Sequence, residues 1–239
     1  MVADALIYHP SVSHYLKFVA TTVGRDKILR TLQYFSRFYA WYLYRTNGSP
    51  AEIAPYEAIK KSFGQARKIL RAGKNVEHLR AAAAAFDAAT TAKDGGSTFL
   101  KYVAFGRQMG YAGYLSADLL TLPDSLGVKK WEGAKRCGRE AYKFWAMGLL
   151  CSVVAQVYTL YGLRVREAQV DRKEGEGVVE GKRIAFERAT SQLQLLSDLC
   201  DLTVPTSALG WVALDDGIVG LAGTVSSLIG VYNQWKKTA

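Results

Sequence analysis

Residues 144–163, FWAMGLLCSVVAQVYTLYGL, form a run of twenty consecutive uncharged positions. A helix rises about 1.5 Å per residue, so about twenty residues cross the ~30 Å hydrocarbon core of a bilayer. Such a run either spans a membrane or forms the central helix of a large soluble core. Its length and lack of charge favour the span. A second apolar run, residues 217–232, has sixteen uncharged residues between Asp215-Asp216 and Lys236-Lys237. It is a shorter candidate span, with Trp235 placed at headgroup level. A third, residues 99–122, is punctured by Arg107 and Asp118 and stopped by Pro123. It spans, lies flat or packs inside. Charges beside or within such runs line a pore or pair at helix ends, and pairing is the simpler expectation.

The three apolar runs share a stripe of small residues at steps of three and four. Residues 99–122 carry Gly106, Gly110, Gly113 and Ala117; residues 144–163 carry Gly148, Ser152, Ala155, Thr159 and Gly162; the last run, with the residues just before it, carries Ala213, Gly217, Gly220, Thr224 and Ser227. In lipid, helices associate through close backbone approach at such faces. These helices are expected to pack on one another or on copies in a second molecule.

The remaining sequence is also helical in pattern, and the fold class is all-α. Pro10-Ser11 opens a first segment ended by Gly24, and a second runs from Arg25 to about Arg45. Asn47-Gly48-Ser49-Pro50 and Asp94-Gly95-Gly96-Ser97 mark turns, with Ser97 a possible N-cap. Residues 164–183 read as a polar loop, residues 184–202 as an amphipathic helix, and Pro205 as a restart. Two regions follow: an amphipathic N-terminal part, residues 1–95, and a membrane-embedded part, residues 96–239.

Charge separates the same regions. The 239 residues carry a net charge of +10, and seven of those ten charges fall in the first 95 residues. A basic front suits an anionic partner. The basicity peaks in residues 56–74, YEAIKKSFGQARKILRAGK. Tyr56, Ile59, Phe63, Ala66 and Leu70 form one helical stripe, with Ile69 beside it; Lys60, Lys61, Arg67, Lys68, Arg71 and Lys74 lie off it. Such a face suits water, nucleic acid, a protein or lipid phosphates.

Nucleic acid would need exposed rings beside bases. The rings at Tyr34, Phe35, Phe38, Tyr39, Trp41 and Tyr42 lie mainly on an apolar helical face, and no nucleic-acid module is present. Catalytic constellations are lacking too. His9, His14 and His78 make no metal spacing, and there is no HExxH or GxSxG. Residues 175–183, GEGVVEGKR, miss the phosphate-loop pattern at Glu176 and Arg183. Cys137, Cys151 and Cys200 suit reduced thiols rather than disulfides or a zinc site. Neither enzyme activity, a cofactor nor a metal is expected.

Gly24-Arg25-Asp26-Lys27, then Arg30, then Gln33-Tyr34, resemble the N-terminal signature of the peroxin-eleven family, and the opening VADALIYHPSVSHYLKFVATTVGRDK is similar to its fungal branch. The resemblance implies a peroxisomal membrane protein that drives peroxisome elongation, fission and proliferation. It implies an amphipathic helix, at residues 56–74 here, that inserts into the cytosolic leaflet, binds acidic phospholipids and tubulates the membrane. Self-association, recruitment of the dynamin-dependent fission machinery, cytosolic termini and, alternatively, solute conduction are further implications. On this reading Lys60, Lys61, Arg67, Lys68, Arg71 and Lys74 meet lipid headgroups. The apolar positions, Ile69 included, dip beneath them.

Overall fold

The computed structural model describes residues 7–91, 95–170 and 175–239. Every extended element among them is helical: α1 Pro10–Ala20, α2 Thr22–Arg45, α3 Pro50–Leu70, α4 Lys74–Thr90, α5 Gly95–Leu120, the short α6 Leu122–Ser125, α7 Gly133–Gln169, α8 Glu176–Ala208 and α9 Asp216–Thr238. Local chemistry sets most boundaries. Thr21 turns extended and its hydroxyl accepts from Gly24 N at 3.0 Å, opening α2. The break between α1 and α2 therefore lies at Thr21, and Gly24 sits buried in the first turn of α2 rather than ending α1. Ser49 and Glu52 form a reciprocal capping box with Pro50 in the first turn, which fixes the start of α3. Gly73, at φ 82°, makes the left-handed turn into α4.

Three expectations are corrected. The polar loop is much shorter than residues 164–183, because α7 continues to Gln169 and α8 already begins at Glu176. Ion pairs across and along this helical hairpin support the extension: Arg166 with Glu180 and Glu187, and Arg183 Nε with Glu187 at 2.9 Å. They offset part of the cost of the helical glycines Gly177 and Gly181, about 1 kcal/mol each. Pro205 does not restart the chain; it is fully buried in the last turn of α8, and Gly210 at φ 73° follows in the turn beyond. Ser97 does not open α5, whose first residue is Gly95.

The helices are arranged as a curved palisade. α4 packs on α5, α5 on α7, α7 on α8, α8 on α9, α9 on α2 and α2 on α3. The small-residue stripes lie inside this single chain. At the α5–α7 crossing, a Cβ on Gly110 would lie 2.6 Å from Gly148 N, and one on Gly113 would lie 2.6 Å from the Phe144 ring. Gly106 faces Cys151 Sγ, and Ser152 is buried with its Oγ 2.6 Å from Asp198. Ala155 is half-buried. The stripe on α9 meets α2 instead: Gly217 receives the Trp41 ring, Gly220 the Phe38 backbone, and Gly223 the Tyr34 ring. Thr224 satisfies its hydroxyl on the Gly220 carbonyl at 2.7 Å. The aromatic ridge of α2 thus fits the groove of α9, and Tyr34 joins the core with Tyr114, Trp145, Leu149 and Val219.

Much of the apolar surface faces outward. Leu150, Val157 and Tyr161 of α7 and Ile218, Leu221 and Leu228 of α9 are about half exposed or more. Apolar patches of this extent suit lipid rather than water. Among the described residues α7 alone is long and apolar enough to cross a bilayer. Its apolar centre is bracketed by Arg139 and Lys143 at one end and Arg164 and Arg166 at the other. The chain is an all-α membrane protein; α9, expected as a second and shorter span, has 23 residues but is not apolar enough to join it.

Candidate functional site

Amphipathic helices of soluble proteins bury their apolar stripe. α3 departs from this rule: its one buried residue is Arg67. Tyr56, Ile59, Phe63, Ala66 and Leu70 are half-buried, and Ile69 is 52% exposed. Tyr56 rests on Tyr39 of α2 with ring centroids 4.6 Å apart. The apolar stripe therefore runs along the side of α3, while the basic arc looks into the molecule.

That arc is held by carboxylates from other helices. Arg67 Nε bonds Asp26 of α2 at 3.0 Å, and its Nη1 donates to Gln33 at 2.7 Å. Lys68 lies 2.9 Å from Asp118 of α5 and donates to Thr121 at 2.7 Å. Arg71 donates to the Tyr114 hydroxyl at 2.7 Å and to Asp118 at 3.1 Å. Lys60 pairs with Glu57 at 2.6 Å and reaches Asp216 of α9 at 3.6 Å, while Arg37 of α2 holds the same carboxylate at 2.6 Å. Lys61 is exposed, Lys74 is half-buried, and neither is ion-paired among the described residues. Asp118 and Asp216, met in the sequence as charges in or beside apolar runs, thus belong to ion pairs.

Burial raises the Asp26 carboxyl, but Arg67, Arg71 and Lys27 override it and hold the group below its usual value. Its stabilising charge is accordingly present at neutral pH and lost as pH falls through that lowered value.

Behind α3 lies a cavity of about 1020 Å³ bounded by α2, α3, α5 and α7. Its wall includes Asp26, Lys27, Arg30, Gln33 and Tyr34. The residues that carried the family resemblance therefore have a place: Asp26 and Gln33 seat Arg67, Arg30 pairs with buried Asp201 of α8, and Tyr34 fills the groove at Gly223. Spacing alone did not reveal these roles, because each partner lies on a distant helix. Gly223 was legible, since it continues the step of three from Gly217 and Gly220.

Lys27 sits in this wall under strain of a different kind. Burial first, then repulsion from Arg30, push its ammonium down to about 8 against the pull of Asp201 and Asp26. Between about 8 and the ordinary 10.5 the unfolded chain binds more protons than the folded one, so stability rises with pH across that window. Denaturant midpoints measured through the window should climb, and the Lys27→Met variant should lose that component of the climb.

A basic amphipathic helix seated over a cavity by the residues of that signature agrees with one family throughout. The pattern of the family described as peroxisomal biogenesis factor 11 matches residues 12–235. The chain belongs to the peroxisomal biogenesis factor 11 family. It is 30% identical to the peroxisomal membrane protein PMP27 of Saccharomyces cerevisiae, with all of both chains covered. It is 26% identical to the peroxisomal membrane protein PMP30A of Candida boidinii, over all of this chain and 99% of that one. It is 23% identical to peroxisomal biogenesis factor 11 of Schizosaccharomyces pombe, over 95% of this chain and 96% of that one. No solved structure matches the chain. Within this family member the candidate spanning helix α7, α3 and the cavity form one continuous unit linked through α2 and α5.

Proposed function

We propose that this protein resides in the peroxisomal membrane and elongates it by inserting α3 into the cytosolic leaflet, promoting peroxisome fission and proliferation without catalysis. One observation carries the reading: α3 buries an arginine and leaves its apolar stripe only half-buried, with Ile69 exposed. Sinking that stripe below the headgroups gains up to about 1.5–3 kcal/mol per large side chain, less the part already buried. Each cation near an anionic surface adds about 1 kcal/mol.

The ion pairs explain why the lipid must be acidic. Freeing Arg67 from Asp26, or Arg71 and Lys68 from Asp118, without a replacement costs about 3–5 kcal/mol per buried partner left uncompensated. Lipid phosphates supply the replacement; neutral lipids hold α3 docked. Insertion into one leaflet expands that leaflet alone and bends the bilayer towards it.

The small-residue faces at Gly110, Gly148 and Gly220 are occupied within the chain, so self-association and recruitment of a dynamin-type machine would use other surfaces. The solute-conducting alternative draws on the basic cavity. The shaping reading is tested with the full chain in vesicles. Tubules should form with acidic phospholipid and not with phosphatidylcholine alone. An Ile59→Ser/Phe63→Ser/Leu70→Ser variant should lose them, and tubulation retained by that variant overturns the reading.

A further inference from the structure

The cavity behind α3 is lined by ten cationic side chains and five carboxylates among the described residues. Cations therefore outnumber carboxylates along its wall by five. The carboxylates are already committed: Asp26 to Arg67, Asp118 to Lys68 and Arg71, and Asp201 to Arg30. Two cations of the inner wall are left over. Arg107 of α5 has a buried Nε with no hydrogen-bond partner among the described residues, and its guanidinium lies 5.7 Å from the Tyr111 ring centroid. Lys27 of α2 makes no side-chain hydrogen bond or ion pair among them, and its Nζ lies beside Gly230 of α9. Buried cations are rare unless paired.

We infer that the cavity is a binding site for a phosphate ester, neutralised by Lys27 and Arg107 and flanked by Arg30, Arg67 and Arg71. The guanidinium forks suit the tetrahedral oxygens of a phosphate, which they can meet with paired hydrogen bonds. The volume is ample for an inositol phosphate or a comparable headgroup. Exposed Lys61 and Lys135 lie on the cavity wall, so positive charge continues from the surface to the interior. The ligand is either a soluble phosphate ester or the headgroup of a membrane phosphoinositide. The site stands on the cavity and its unpaired cations, independently of membrane bending.

The test is the Tm of the full-length protein, with ionic strength matched by chloride. One arm adds inositol 1,4,5-trisphosphate to protein in neutral detergent. The other compares phosphatidylcholine nanodiscs with and without a phosphatidylinositol phosphate. At ligand a hundredfold above Kd, Tm should rise by about 5–10 °C. A rise in the first arm identifies a soluble ester as sufficient; a rise in the second alone identifies a lipid headgroup. Lys27→Met and Arg107→Met should each remove most of the rise. Because neither side chain makes a direct ion pair among the described residues, both variants should leave the ligand-free Tm unchanged or higher. No rise in either arm overturns the site, as does an undiminished rise in both variants. Neither result depends on tubulation, so the two readings fail separately.

Discussion

Gly110→Leu should leave almost no folded protein after extraction in mild detergent. At this position α5 and α7 meet backbone to backbone, and a Cβ would sit 2.6 Å from Gly148 N and 2.7 Å from its Cα. A flexible side chain could move aside; a helix backbone cannot. On the other side of the crossing, a Cβ on Gly148 would come within 3.3 Å of the Arg107 carbonyl and 3.4 Å of Tyr111 N. Ordinary overpacking costs about 1–3 kcal/mol, and separating two helices that carry the core pair Tyr114 and Trp145 should exceed about 4 kcal/mol. Gly162→Leu, farther along α7, is the matched control. No atom lies within 4 Å of its Cβ position, so the protein should not be destabilised and should gain up to about 1 kcal/mol from replacing a helical glycine. Monodisperse yield and Tm measure both. A well-folded Gly110→Leu protein would contradict the crossing.

Asp118→Ala should detach the C-terminal half of α3 from α5. This carboxylate serves Lys68 at 2.9 Å and Arg71 at 3.1 Å with only 14% of its side chain exposed. Its loss leaves two largely buried cations, with the hydroxyls of Thr121 and Tyr114 and the Arg67 carbonyl as their partners. The expected cost is about 3–5 kcal/mol. Amide hydrogen exchange should accelerate across residues 60–73 and remain slow in α7. Adding Arg71→Met to Asp118→Ala should recover part of the loss, because it removes one of the uncompensated charges. Unchanged exchange in the single variant would show that Asp118 does not hold the helix.

Helical periodicity exposed most of the architecture, including the long apolar helix α7 and the glycine faces. It sorted the residues of α3 correctly into an apolar stripe and a basic arc, since both follow from the 3.6-residue repeat. It was silent on which way each face points. In a water-soluble fold Arg67 would lie outside and Phe63 inside; in a chain solvated partly by lipid that rule loses its force. The carboxylates that reverse the orientation, Asp26, Asp118 and Asp216, lie on three other helices, 41, 47 and more than 150 positions away in the pairs they make. The segment at residues 175–183 misled for the opposite reason. Its glycines and charges signal a loop locally, and only the Arg166 and Arg183 pairs with Glu180 and Glu187 show why it stays helical.

The apolar edge of α3 can be altered almost without touching the core, because none of Ile59, Phe63 and Leu70 is buried. The most direct measurement therefore compares the full-length wild type with Ile59→Ser/Phe63→Ser/Leu70→Ser in vesicles containing acidic phospholipid, after matching Tm and the amount reconstituted. Electron microscopy should show tubules with the wild type and round vesicles with the variant. Tubules of equal number and length in both would contradict insertion of α3 as the source of curvature.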